Sequence, residues 1–219
     1  MTTLNAKNLT LDDVHQLFNF HKQYSTSFES LLSLEPVTEF EQQQVEQTRH
    51  EFDNHLTSAA ASEGQVKLVA VSPLLRLAGF YRYPLQIAVE EGISRITITA
   101  EDTIITGRFD ILAINKARQP RDHVPFWVLV IESKNSAVSP STGLPQLLTY
   151  AYKSLESQES VWGLVTNGEL YRFVYIQTGN SPTYQLLPFL SLTDAESSMK
   201  LLQVLKAICQ LQQIKLSPE

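Results

Sequence analysis

Hydrophobic positions recur at threes and fours through the first third of the chain and in twos through its middle. Thr10 is the N-cap of a first predicted helix over about 11–34, with a break near Ser25 and an apolar stripe of Val14, Leu17, Phe18, Phe28, Leu31 and Leu32. Pro36 opens a second helix, in which Val37, Phe40, Val45, Thr48, Phe52 and Leu56 oppose a face of Glu and Gln. The two are expected to pair as an N-terminal helical hairpin packed on the core. The small residues of 57–62 are the best internal joint, dividing a helical extension at 1–57 from a domain at 58–219. Residues 63–79 read as a third helix, with Val66, Val69, Ala70, Leu74 and Leu77 on one face, a kink at Pro73 and Gly79 as its stop.

From Pro84 the rhythm becomes that of strands. Residues 85–90 alternate, Glu91-Gly92 turns, and Ile93, Ile96 and Ile98 sit in a β-branched run. A further strand spans 104–114, and a polar loop at 115–125 carries Lys116, Arg118 and Arg121. It leads into Phe-Trp-Val-Leu-Val-Ile-Glu-Ser-Lys at 126–134, a run apolar enough to be covered on both faces, yet closing on an acid and a base. Alternation sets Glu132 and Lys134 on one side and turns Ser133 to the other.

A Ser- and Pro-containing loop then precedes a helix over about 143–158. Leu144, Leu147, Leu148, Ala151 and Leu155 form its buried stripe, with Gln146, Tyr150 and Lys153 on another face. Strands at 161–166 and 170–177 meet at Asn167-Gly168, which tolerates the positive φ of a tight turn. Residues 184–190 add a short edge strand. Thr193 and Glu196 make a capping box for a last helix to about Ile214, with Met199, Leu202, Leu205 and Cys209 inward. The order of elements predicts an α/β fold with a central mixed sheet flanked by helices.

Composition narrows the function classes. With 219 residues, 43% hydrophobic and 18% charged, the chain buries one substantial core. No apolar run approaches the roughly 20 residues that span a bilayer, and the polar start has no signal-peptide pattern, so a soluble, cytoplasmic protein with no membrane partner is expected. The single Cys209 excludes an internal disulfide and a cysteine zinc cage. A net charge of −6 argues against a broad nucleic-acid-coating surface, so any DNA contact is local or shared with a partner. His15, His21, His50, His55 and His123 fall in no H-x-x-x-H or H-E-x-x-H pattern and read as surface or satisfied polar groups. Trp127 and Trp162 read as core packing rather than base-stacking platforms.

The chemistry concentrates at the end of 126–134. Asp110 and Glu132 fall on consecutive predicted strands, which normally lie side by side. Two carboxylates, with the backbone carbonyl of Ser133, are the hard oxygen ligands that Mg²⁺ takes while keeping several waters. Such an ion polarises a phosphodiester and lowers the pKa of a water, and Lys134 is placed to orient that water and offset developing charge. The alternative is a surface hairpin carrying an ordinary Glu/Lys pair. Arg108, Lys116, Arg118, Arg121 and Lys153 flank the site in sequence, as phosphate contacts or, for the middle three, as a solvated loop.

With Asp110, Glu132-Ser133-Lys134 and Gln146-Leu147-Leu148-Thr149-Tyr150 in that order, the chain resembles the PD-(D/E)xK nuclease superfamily over about 63–175. Ser62-Glu63, the run from Pro73 to Phe80, Gly107-Arg108-Phe109-Asp110 and Thr166-Asn167-Gly168 look, more closely, like the nuclease domain of type I restriction-enzyme R subunits and stand-alone cyanobacterial relatives. The resemblance implies a restriction-endonuclease-like core and a Mg²⁺-dependent DNA endonuclease, with Mn²⁺ as a substitute. It implies Asp110, Glu132 and Ser133 as metal ligands, Lys134 with the attacking water, and Glu63 in the outer metal shell. Gln146 would position phosphate or water, and Arg108, Tyr150 and Lys153 would touch DNA.

Phe109 replaces the family's usual proline before the aspartate. Glu41, Glu46 and Glu51 are alternatives to Glu63. No G-x-x-x-x-G-K-[ST] occurs, so cleavage without an ATP motor is expected, either alone, as a homodimer, or with a partner subunit. The competing reading is a non-catalytic module of the same fold that binds DNA or a protein.

Overall fold

A computed structural model describes residues 2–24, 27–57, 59–92, 96–98, 103–118 and 125–214. The break expected at Ser25, the strand start at Ile93, and Arg121 and His123 lie outside them. In chain order the elements are β1 (Thr2–Asn5), α1 (Leu11–Phe18), β2 (His21–Tyr24), α2 (Glu39–Leu56), α3 (Glu63–Gln65) and α4 (Ser72–Ala78). There follow β3 (Leu85–Val89), β4 (Ile96–Ile98), β5 (Thr103–Thr106), β6 (Ile111–Asn115), β7 (Phe126–Ser133) and α5 (Leu144–Leu155). The chain closes with β8 (Ser160–Thr166), β9 (Leu170–Gln177), β10 (Thr183–Ser191) and α6 (Ala195–Ile214).

The apolar character of β7 is explained by its place. It lies inside a seven-stranded mixed sheet of order β2-β10-β9-β8-β7-β6-β3, between antiparallel β6 and parallel β8. Leu129 and Ile131 face a core built with α2, α4 and α6, whereas Trp127 and Val130 face a second core built with α1 and α5. Both faces are therefore covered, and every residue of β7 after Phe126 is buried. The register skips Val128 between Ile114↔Trp127 and Ala113↔Leu129, a bulge that turns two successive side chains to one core. Among the described residues, no helix is long and apolar enough to cross a membrane.

The N-terminal helical hairpin does not form. Asn19 takes a left-handed conformation at φ 53° and ends α1. Phe20 then buries edge-on to Tyr184, and His21–Tyr24 pairs in parallel with β10. That leaves β10, nine residues long, inside the sheet rather than at its edge. The second helix starts at Glu39 rather than Pro36, because Thr38 and Glu41 make the reciprocal capping box. For α6 the cap is Asp194, whose carboxylate accepts the Ser197 amide at 2.7 Å, and not the Thr193/Glu196 pair.

The strand expected over 104–114 divides in two. Its first part, β5, lies in a separate three-stranded sheet with β1 and β4, and its second, β6, joins the main sheet after a turn at 107–110. Pro73, expected to kink its helix, stands in the first turn of α4, just after a π-helical segment at Val66–Val71. In that wide turn the Ser72 amide donates to the Lys67 carbonyl, five residues back.

Gly168, in the β8–β9 turn, has φ 90°, and a Cβ there would stand 2.4 Å from Phe52 Cζ on α2. Positive φ and a core clash add, so Gly168→Ala is expected to lower stability by about 2 kcal/mol or more. The check is a shift in the urea midpoint, and an unchanged midpoint would show that α2 yields freely at this contact.

Candidate active site

The register of the sheet sets three acids in a row at one end. Val89 pairs with Ile111 and Ile111 with Ile131, so the next residues in each strand bring Glu90 opposite Asp110, and Asp110 opposite Glu132. The Glu90 amide donates to the Asp110 carbonyl at 2.9 Å, which keeps the pairing beyond the formal strand ends. Three carboxylates side by side repel one another unless each is given donors.

Each is given a different set. Asp110 Oδ2 accepts the Ser133 amide at 2.7 Å and its hydroxyl at 2.8 Å. Strand alternation turned Ser133 away from Asp110. At the last residue of β7, however, the Asp110 carboxylate reaches diagonally across and captures both donors. Glu132 Oε1 accepts Lys134 Nζ at 2.7 Å. The Lys67 ammonium lies 2.7 Å from Glu90 Oε1 and 3.4 Å from Asp110 Oδ1. Burial pushes the Lys67 pKa down, but the two carboxylates outweigh it and leave it above the usual lysine value. Glu90 is held below the usual carboxylate range, chiefly by its bond to Lys67.

Glu132 is the anomaly. It is 2% exposed, and its Oε2 has no hydrogen-bond partner among the described residues. Burial first, and then the Asp110 charge, push its pKa up to about 8, against the pull of Lys134. Glu63 adds to the upward push, so it stands within electrostatic reach. It is brought there because Ser136 and Ala61 exchange hydrogen bonds, Ser136 N to Ala61 O at 3.0 Å and Ala61 N to Ser136 Oγ at 2.8 Å, docking the start of α3 on the loop after β7. The Asn167 amide pins the same loop through the Ser136 and Val138 carbonyls.

On the other side, the start of α5 comes close. Gly143 permits it: a Cβ there would lie 2.9 Å from Glu132 Cγ. Gln146 accepts from Lys134 Nζ at 3.4 Å and donates to the Tyr150 hydroxyl at 2.8 Å. Tyr150, read from the sequence as a DNA contact, is 1% exposed and donates to the Arg108 carbonyl at 2.8 Å. It braces the turn before Asp110 from within.

Of the residues expected at the site, Asp110, Glu132, Ser133, Lys134 and Gln146 thus come together, with Glu63 close by. Arg108 is exposed on the rim, its Nη2 3.8 Å from Glu90. Lys153 is tied to Glu156, about 10 Å along α5 from Gln146. Lys116 and Arg118 do not flank the site. They precede β7, Arg118 stacks on Phe126, and the strand separates them from Glu132 by about 20 Å. Lys67 and Glu90 were not anticipated. The available signals were the helical i, i+4 spacing of Lys67 from Glu63 and the place of Glu90 at the end of its strand. Among the described residues, no three His, Cys, Asp or Glu side chains form a ready metal cage.

No protein-family model matches the chain, and no curated protein matches it. Among solved structures it is similar to a fragment assigned as an HsdR subunit of a type I restriction enzyme from Vibrio vulnificus YJ016, at 20% identity and a TM-score of 0.39. The match takes in 64% of this chain and 25% of the other. The chain therefore spans about a quarter of that structure's length, and no activity follows from a likeness at this level.

The folded protein binds the Glu132 proton more tightly than the unfolded chain does. Its contribution to stability is whole below pH 4.5 and is lost as pH rises to about 8. Without added divalent ions, Glu132→Gln should remove a fall in unfolding free energy on the order of a few kcal/mol across that window. Denaturant titrations at a series of pH values test this, and equal slopes in the two proteins would overturn it.

Proposed function

We propose that the chain is a divalent-cation-dependent DNA endonuclease-like protein that hydrolyses phosphodiester bonds at the Asp110–Glu132–Lys134 site. The observation that carries the reading is the buried, unpartnered Oε2 of Glu132 beside a second carboxylate and a lysine. An unpaired carboxylate oxygen in an apolar interior is costly, and a divalent cation removes the cost while fixing the group in its charged form. The donor set suits a hard ion: Asp110, Glu132 and the Ser133 carbonyl are oxygen ligands, few enough for Mg²⁺ or Mn²⁺ to retain waters. When bound, such an ion supplies Lewis-acid polarisation of phosphoryl oxygens.

The chain's own residues do the rest. Lys134, held between Glu132 and Gln146, would orient the attacking water and offset the developing charge. Gln146 keeps that ammonium from swinging away, and Tyr150 keeps Gln146 in place. Glu63 would act from the ion's outer shell. Arg108, exposed on the rim, is the cation best placed to meet a phosphate, whereas Lys153 and Tyr150 are already engaged within the chain. DNA is the proposed partner, with a second copy or another subunit to reach the opposite strand.

One observation favours the non-catalytic reading: both oxygens of Asp110 already have partners within the chain. A module of this fold that only binds DNA or a protein would show the same closure.

Nicking of supercoiled plasmid decides between them. The protein is expected to nick with Mg²⁺ or Mn²⁺ and not with EDTA, and Lys134→Ala to lose at least a hundredfold in rate with the fold retained by circular dichroism. Absence of nicking on any DNA with either ion would sink the nuclease reading in favour of the binding module.

A further inference from the structure

Lys67 and Glu90 are the charged groups at the site for which the proposed reaction has no use. Their geometry is nevertheless built. Lys67 sits on the π-helical segment, between the buried Val66 and Ala70. From there its side chain reaches the ends of β3 and β6. Its ammonium bridges two adjacent members of the acid row, Glu90 at 2.7 Å and Asp110 at 3.4 Å, with both Lys67 and Asp110 mostly shielded from solvent. Glu90 takes a left-handed φ of 53°, a conformation that non-glycine residues seldom adopt. Arg108 lies beside it from the other side.

The two oxygens of Asp110 are divided between two kinds of partner. Oδ2 is fixed by the Ser133 amide and hydroxyl, a backbone-anchored pair that does not leave. Among the described residues Oδ1 is held only by Lys67, at the longer of that lysine's two contacts. We infer that Lys67 is a positioning residue of this site: its ammonium serves as the resident counter-ion of Asp110, withdraws onto Glu90 when a divalent cation takes that carboxylate, and so sets the affinity for the cation. The inference rests on the metal-site reading above. It also accounts for the closure of Asp110 without making the site inert, since one of the two closures is a flexible side chain with a second seat.

The consequences have opposite signs for the two partners of the pair. Removing the ammonium removes a competitor and tightens cation binding. Removing the Glu90 charge denies Lys67 its second seat, holds it on Asp110 and weakens binding. The two effects are coupled, because Glu90 acts through Lys67.

Mn²⁺ binding to the full chain, followed by calorimetry and by loss of the free-ion paramagnetic resonance signal, reads this without any cleavage assay. Lys67→Met is expected to tighten Mn²⁺ binding about fivefold and Glu90→Gln to weaken it by a similar factor. In the Lys67→Met background, Glu90→Gln should change it less than twofold. Lys67→Gln, which keeps the stem and the polarity, repeats the first arm should the methionine variant fold poorly, as judged by circular dichroism. Binding that is unchanged or weaker without Lys67 overturns the inference alone. So does a Glu90→Gln effect of equal size in both backgrounds, which is the signature of a general field. No Mn²⁺ binding by the wild type or by Lys67→Met overturns the metal-site reading and the inference together.

Discussion

The site depends on a closed ring of hydrogen bonds. Asp110 holds the amide and hydroxyl of Ser133; Lys134, next in sequence, bonds Glu132 and Gln146; Gln146 donates to Tyr150; and Tyr150 returns to the backbone of Arg108, two residues before Asp110. Three separate elements close this ring: the turn before β6, the end of β7 and the first turns of α5. Each polar group in it is satisfied by the next, which is the condition under which a buried polar network is tolerated. Glu132 Oε2 alone is left over, so the ring concentrates its unfavourable energy on one oxygen.

The scaffold supplies what the ring cannot. Neighbouring acids gain nothing from one another, and the sheet must hold them together against repulsion. Two apolar cores, one on each face of β6 and β7, do so, and their burial is non-directional and large compared with any one charge contact. Placement at the strand ends matters equally. There α3 and the π-helical segment after it can bring Glu63 and Lys67 from one side, and α5 can bring Gln146 from the other. In the interior of the sheet the same acids would have had no access from solvent.

Much of this was legible in the sequence, for reasons that can be stated. The run from Phe126 to Ile131 is too apolar for a half-exposed strand, and it is buried on both faces. Consecutive strands commonly pair, which was enough to set Asp110 beside Glu132, and helical spacing was enough to put Gln146 and Tyr150 on one face of α5. What failed depended on terms that periodicity does not carry. The N-terminal hairpin was inferred from spacing alone, but a left-handed Asn19 and the burial of Phe20 redirect the chain into the sheet. Ser133 obeyed alternation only up to the last residue of its strand. Lys116 and Arg118 were grouped with the site because they are near it in sequence, although a loop that precedes a strand must lie at the opposite end from residues that close it. Lys67 and Glu90 leave only a helical spacing from Glu63 and a place at a strand end as signals, and neither is distinctive without the strand register.

The two lysines divide the work of the acid row. Lys134 is shared between a buried carboxylate and a buried amide, so its position is fixed by groups that are themselves fixed. Lys67 is shared between Asp110 and the more exposed Glu90, so it has one rigid neighbour and one that solvent and Arg108 can draw outward. A charge held between two rigid partners orients what it touches, whereas a charge held between a rigid and a yielding partner can be exchanged. On that distinction the row of acids is one continuous array with a fixed end at Glu132 and an adjustable end at Glu90, and Asp110, between them, belongs to both.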